Sequence, residues 1–245
     1  MRSTCCVLAV IWVLLSTGCG VTGGTYARAV PLSPALRNVQ TRSNVAVGTV
    51  LTSPGAVRHK AIGAFSFGRF DDADRETLRR SLELSLAVPS RAEHEVHVRI
   101  RYFASTATNN RIAALAAVDW CVAKGSELLA SERFWSAYDT GDRFMNTETL
   151  GMAKGHVLDA ITQRVAERAL AAANGLATPA APKHTHDDAA AALRGLPDIM
   201  VAEANGLLAA GLQLALGGGA GTSDLKPEEA LPPTDWKTEL QPAGP

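Results

Sequence analysis

Residues able to hold a metal or move a proton occur in two short runs. His94-Glu95-Val96-His97 sets two imidazoles three positions apart. The helical zinc motif needs its two histidines four apart, one turn along a single helix face. The alternation around this run reads as a strand, where an odd spacing sends the two side chains to opposite faces. The second run, His184 and His186 followed by Asp187 and Asp188, has better ligand types at a strand-like spacing of two. Short His-rich tracts can hold a metal loosely, but flanks of Ala and Pro offer no shell to orient the ligands. A solvated linker is the simpler reading, and no metal or other cofactor is expected.

Hydrolytic chemistry needs a nucleophile beside a base. The chain has no Gly-x-Ser-x-Gly elbow, and the glycine cluster at 217–221 lacks the Lys-Ser/Thr that ends a phosphate loop. Asp119 and Glu132 could meet from neighbouring strands, but cross-strand pairing with Arg99, Arg101 or Arg133 accounts for them. Cys121 lies in the apolar pattern Val118-Asp119-Trp120-Cys121-Val122, the setting of a buried, inert thiol. No enzymatic activity is expected.

The other three cysteines are N-terminal. Arg2 precedes an apolar run from Cys5 to Leu15, too short for the roughly 20 residues of a spanning helix and about the length of a signal-peptide core. Small residues follow, ending Leu15-Ser16-Thr17-Gly18-Cys19-Gly20. This ending resembles a lipobox, the bacterial motif whose cysteine is acylated and becomes the first residue. The family's usual leucine three places before the cysteine is Ser16 here. The resemblance implies lipid on Cys19 and a membrane anchor. Gly20, in place of an aspartate, implies by analogy with enteric bacteria the periplasmic face of the outer membrane. The alternative is an ordinary secretory signal cut near Gly18–Gly20.

The chain carries 24 basic and 24 acidic residues, so nucleic acid is not an expected partner. Residues 1–18 read as signal peptide and 19–42 as lipidated cysteine and flexible tether, spanning on the order of 25–30 Å as a coil. Residues 43–175 read as the globular domain. An Ala/Pro linker is expected over 176–193, an apolar helix over 194–217, and a disordered Pro-rich tail over 218–245.

Within the domain, Asn44–Leu51 and Lys60–Phe67 read as short strands around the Ser53-Pro54-Gly55 turn signal. Asp71-Asp72-Ala73-Asp74 supplies caps for a helix carrying Leu78, Leu82 and Leu86 on one stripe. Val96, Val98, Ile100 and Tyr102 alternate with His97, Arg99 and Arg101 as a strand. Arg111–Lys124 and Leu128–Tyr138 continue an antiparallel meander through a turn at Lys124-Gly125. A closing helix runs from Glu148 to Asn174 behind a Thr147 cap. The pattern specifies an α+β two-layer domain. A mostly antiparallel sheet, a three-strand meander plus one or two N-terminal strands, is packed by two helices, with a C-terminal helical extension.

That order of elements behind a lipidated cysteine resembles small accessory lipoproteins of proteobacterial envelopes. The phrases that carry it are Ala61-Ile62-Gly63-Ala64-Phe65, Leu78-Arg79-Arg80-Ser81-Leu82, His97-Val98-Arg99-Ile100 and Gly125-Ser126-Glu127-Leu128-Leu129. The resemblance implies a non-enzymatic envelope lipoprotein that binds an envelope protein or itself. The alternatives are a carrier of an amphipathic ligand such as a lipid or glycolipid, and a hydrolase. Trp120 and Trp135 on the meander, with Leu207, Leu208 and Leu212 on the apolar helix, are the candidate partner surface.

Overall fold

In the computed structural model, the described residues are 26–40, 44–53, 61–62, 65–68, 70–87, 91–107, 111–141, 149–198, 200–201 and 234–240. In chain order the elements are α1 (Pro34–Gln40), β1 (Val45–Thr52), β2 (Ala61–Ile62), β3 (Phe65–Gly68) and α2 (Asp72–Leu86). The meander follows as β4 (His94–Ala107), β5 (Ile112–Lys124) and β6 (Glu127–Asp139). After it come α3 (Leu150–Ala173), β7 (Thr185–His186), α4 (Ala189–Leu193) and α5 (Trp236–Glu239).

Local chemistry sets the helix ends. Asp71 caps α2 by accepting the Asp74 amide at 2.9 Å, while the Asp74 carboxylate accepts the Asp71 amide at 3.1 Å. This reciprocal box satisfies two amides that helix geometry leaves orphaned. For α3 the cap is Thr149 rather than Thr147, and its hydroxyl accepts the Met152 amide. At the β5–β6 turn Gly125 has φ +59°, a left-handed position that glycine adopts without a side-chain clash.

The sheet is mixed, with order β2-β3-β4-β5-β6-β7. β1 lies beside the first half of β4 and runs parallel to it, while β3 pairs antiparallel with the last residues of the same edge. The expectation of an α+β domain with a three-strand meander therefore holds, with β1 added through the α2 crossover.

One face alternation departs from expectation. The β4–β5 register shifts between Ile100 and Tyr102, making Arg101 the extra residue of a bulge. An inserted residue reverses every side chain beyond it. Val96, Val98 and Ile100 accordingly pack under the helices, but Tyr102 joins the opposite face and Phe103 takes the inner one.

On the inner face, α2 and α3 lay Leu78, Leu82, Leu86, Val157, Ile161 and Val165 against Val98, Ile100, Val118, Trp120 and Phe134. Lys154 of α3 reaches Asp74 of α2 at 2.5 Å and ties the two helices together. β5 is buried from Ile112 to Ala123 without alternation. Such a strand must be covered on both faces. The outer cover comes from the C-terminal third of the chain. Residues 176–193, expected as a linker, include β7, which pairs with β6 at Trp135 and Ser136, and α4. Ala189, Ala192, Leu196 and Met200 then pack on Tyr102, Leu115, Ala117 and Trp135. Among the described residues no helix is long and apolar enough to cross a membrane.

Candidate functional site

The outer sheet face carries a cluster of charged side chains around Asp119. β5 and β6 place Asp119 directly opposite Arg133, and Asp119 is nearly fully buried. Arg133 donates to both of its oxygens, at 2.6 and 2.9 Å, and Arg101 stands 3.8 Å away. Residues 234–240 lie over this cluster. The Thr234 amide and hydroxyl donate to Asp119 Oδ2 at 2.9 and 2.6 Å, and Arg99 reaches Glu239 at 2.6 Å. Trp236, 4% exposed, sits with its ring 6.3 Å from that of His97. Burial is the strongest single influence on the Asp119 carboxyl and pushes its pKa up. The hydrogen bonds from Arg133 and Thr234, with the Arg133 charge, together outweigh burial and hold it below the usual carboxylate range. A recess of about 200 Å³ opens beside Trp236, between Asp119, Ser131, Arg133 and Thr234.

His97 supports the same region from below. Its Nδ1 accepts the Thr49 amide at 3.2 Å, which leaves the proton on Nε2, 3.6 Å from Glu95. Burial lowers its pKa, with Glu95 opposing. Cys121, paired in register with His97, is buried, and its thiol is pushed up to about 12 by burial. A thiol so far from its thiolate is a poor nucleophile at neutral pH.

The carboxylates weighed in the sequence do not meet. Asp119 faces outward, whereas Glu132 turns to the helix layer. There Glu132 bonds Arg164 and, at 2.7 Å, Arg168. Arg164 is fully buried, stacks 4.5 Å over the Phe134 ring and also bonds Asp187. Two carboxylates, two guanidiniums and an aromatic face thus tie α3, β6 and the segment after β7 into one unit.

His184 and His186 straddle a buried Thr185. His184 meets the Tyr138 ring edge-on at 5.2 Å, and His156 of α3 stacks on the same ring at 4.2 Å. Among the described residues no group of three His, Cys, Asp or Glu side chains could hold a metal ion. His94 and His97 both lie in β4, and both are buried.

Trp120 and Trp135, read as a partner surface, are buried by the chain itself and face opposite ways. Trp120 lies under the helices and donates its indole N–H to Glu132 at 3.4 Å. Trp135 lies under the 189–200 segment. The reason is that β5 and β6 are covered on both sides, so an apolar outer position marks a second core. Leu207, Leu208 and Leu212 lie outside the described residues, as does Cys19.

The tether also differs from expectation. Among the described residues it is docked on the helix layer from Arg28 to Gln40. The Arg28 amide donates to Ser81 and the Val30 amide to Ser85, at 3.2 and 2.9 Å. Alternate amides of an extended chain recur every ~6.7 Å, and serines at i and i+4 of a helix every ~6 Å, so the two repeats match. Ser33 donates its amide to Glu167 at 2.6 Å, and Arg28 pairs with Asp159. The docked chain borders a groove of about 380 Å³ lined by Tyr26, Thr77, Ser81, Met152 and His156. This groove opens between the helices, away from the sheet.

Sequence reasoning missed Thr234, Trp236 and Glu239. The available signal was a lone tryptophan in a polar tail, just after Asp235, whose carboxylate accepts the Lys237 and Thr238 amides. On its outer edge β6 pairs, among the described residues, with β7 at Trp135 and Ser136, and the Ala137 amide donates to the His184 carbonyl at 2.9 Å.

No family model matches the chain, and no curated protein matches it. Among solved structures it is similar to a Xanthomonas campestris protein of the DUF330 family, at 16% identity and a TM-score of 0.42, over 62% of this chain and 95% of that one. It is also similar to a Caulobacter crescentus protein described as a candidate lipoprotein, at 17% identity and a TM-score of 0.34, over 58% and 98% of the two chains.

Proposed function

We propose that this chain is a lipoprotein held by acyl chains on Cys19, and that its domain is a non-enzymatic protein-binding or assembly factor at the periplasmic face of the outer membrane. The observation carrying the binding role is the β6 edge from Glu127 to Glu132. Its ladder groups have no β7 partner among the described residues, and Leu129 is exposed along it. A strand edge of that length is a template for a partner strand, with main-chain hydrogen bonds giving affinity and alternate side chains giving selectivity.

The N-terminal geometry supports the anchor. Arg28, bonded to Ser81, is nine steps from Cys19, a span of at most ~32 Å even fully extended. A lipid on Cys19 would keep the α2–α3 layer close to the headgroups and leave the β6 edge to project into the envelope space.

Two measurements test the reading. Cys19→Ser is expected to move the protein from the detergent phase to the aqueous phase; an aqueous wild type overturns the anchor. A photo-crosslinking residue at Leu129 is expected to give a discrete envelope adduct that the same residue at Leu176 does not. Equal labelling at both positions, or none, overturns the edge as the contact.

A further inference from the structure

We propose that the outer sheet face around Asp119 is a peptide-docking site, and that Thr234–Leu240 is its tethered ligand. The ligand class is an acidic peptide with a hydroxyl residue two before a tryptophan and a carboxylate three after it. This goes beyond the anchoring reading and stands whether or not Cys19 is acylated, so peptide binding and detergent partitioning fail separately.

The two covers of the outer face differ in kind. The 189–200 segment is joined to the sheet by β7 and buries Ala189, Ala192, Leu196 and Met200 in one apolar cluster. It is part of the core. Residues 234–240 bury one side chain deeply, Trp236, while Asp235, Lys237, Thr238 and Glu239 stay exposed. A single aromatic anchor ringed by polar contacts is the pattern of a recognition peptide.

The segment also carries its own shape. Asp235 caps the α5 turn through the Lys237 and Thr238 amides and receives the Thr238 hydroxyl at 2.7 Å. A preformed turn loses less conformational entropy on docking. The receiving face is built independently, because Asp119, Arg133, Arg101 and His97 are held by strand register and by Thr49. It presents Arg99, Arg101 and Arg133 around one carboxylate, and the segment returns Asp235 and Glu239 against Lys237. The charges are complementary, and complementarity of this kind sets selectivity more than strength.

A seven-residue peptide with one anchor binds on the order of micromolar to millimolar as a free molecule. Tethering supplies an effective concentration of about millimolar, which keeps the site filled in cis yet open to exchange.

The test uses the full chain with a specific protease site inserted between residues 215 and 225. After cleavage, the C-terminal fragment is expected to leave on dilution and to rebind saturably, leaving the domain's thermal transition in place. Trp236→Ala in the fragment is expected to abolish rebinding, and Asp119→Asn in the domain to weaken it at least about tenfold. A fragment that cannot be separated without unfolding the domain, or that leaves and does not rebind, overturns the proposal. In the uncut chain, Trp236→Ala is expected to bind a labelled Thr234–Leu240 peptide at least about tenfold more tightly than the wild type, whose own segment competes. Equal binding by the two overturns it as well.

Discussion

The imidazole of His97 occupies the space that a side chain on Gly48 would need. A Cβ built on Gly48 falls 2.4 Å from His97 Cε1 and 2.6 Å from Nδ1. Gly48 sits in β1 at the shift between Val47 and Val50, so the two neighbouring strands approach through a ring on one and a bare backbone on the other. The ring cannot retreat easily, because Thr49 bonds it and Trp236 lies nearby. Gly48→Ala is therefore expected to cost about 1–3 kcal/mol, the usual range for overpacking. Pairing it with His97→Ala should return part of that loss in a double-mutant cycle by denaturant unfolding. Simple additivity would show that the ring and the glycine do not constrain each other.

Stability is expected to fall on acidification through His97. Burial lowers its folded pKa below the unfolded value of about 6.5, so the unfolded chain takes up the proton first. Above pH 6.5 both states are neutral and the contribution is complete. As pH drops below 6.5 stability declines, until pH passes the folded pKa. His184 and His186 are lowered in the same direction, again chiefly by burial. Urea midpoints measured between pH 8 and 5 should decline in the wild type and less steeply in His97→Gln. Parallel slopes would assign the effect to the other two.

Glu132 is the counter-charge for a fully buried guanidinium. Glu132→Ala should destabilise by about 3–5 kcal/mol, since Arg164 would keep only the exposed Asp187 as its acid partner. Replacing both residues, Arg164→Met with Glu132→Leu, should recover part of the loss, because the buried charge leaves with its partner while Arg168 and the Trp120 indole still lose their acceptor. Thermal unfolding of the three variants checks this, and a double variant no better than Glu132→Ala would contradict it.

Cys121 should report global unfolding. Its thiol is buried and pushed up to about 12, so a thiol reagent at pH 8 meets almost no thiolate in the folded domain. Modification after Cys5, Cys6 and Cys19 are removed is expected to rise with urea as steeply as the unfolded population does, because the thiol reacts only from the open state. A rate insensitive to urea would place Cys121 at a locally opening site instead.

The elements were readable because each is encoded by its own neighbours. Leu78, Leu82 and Leu86 mark one helix face, Asp71 and Asp74 form a cap within a single turn, and the alternation from Val96 to Ile100 is a property of one strand. The same locality made the meander and the closing helix legible, along with the pairing of Asp119 with a cross-strand arginine.

What the tertiary structure alone decided involves residues that cannot sense each other along the chain. The bulge at Arg101 is a one-residue choice that turns Tyr102 from the inner to the outer face, and only the partner strand reveals it. The docking of Arg28 and Val30 on Ser81 and Ser85 depends on two unrelated repeats matching in space. Residues 176–193 and 234–240 read as linker and tail because their few apolar side chains have no periodicity of their own. They acquire structure from a sheet face distant in sequence, about forty or more residues back at Trp135 and more than a hundred back at Asp119, where burying Met200 and Trp236 outweighs the entropy of ordering short polar segments.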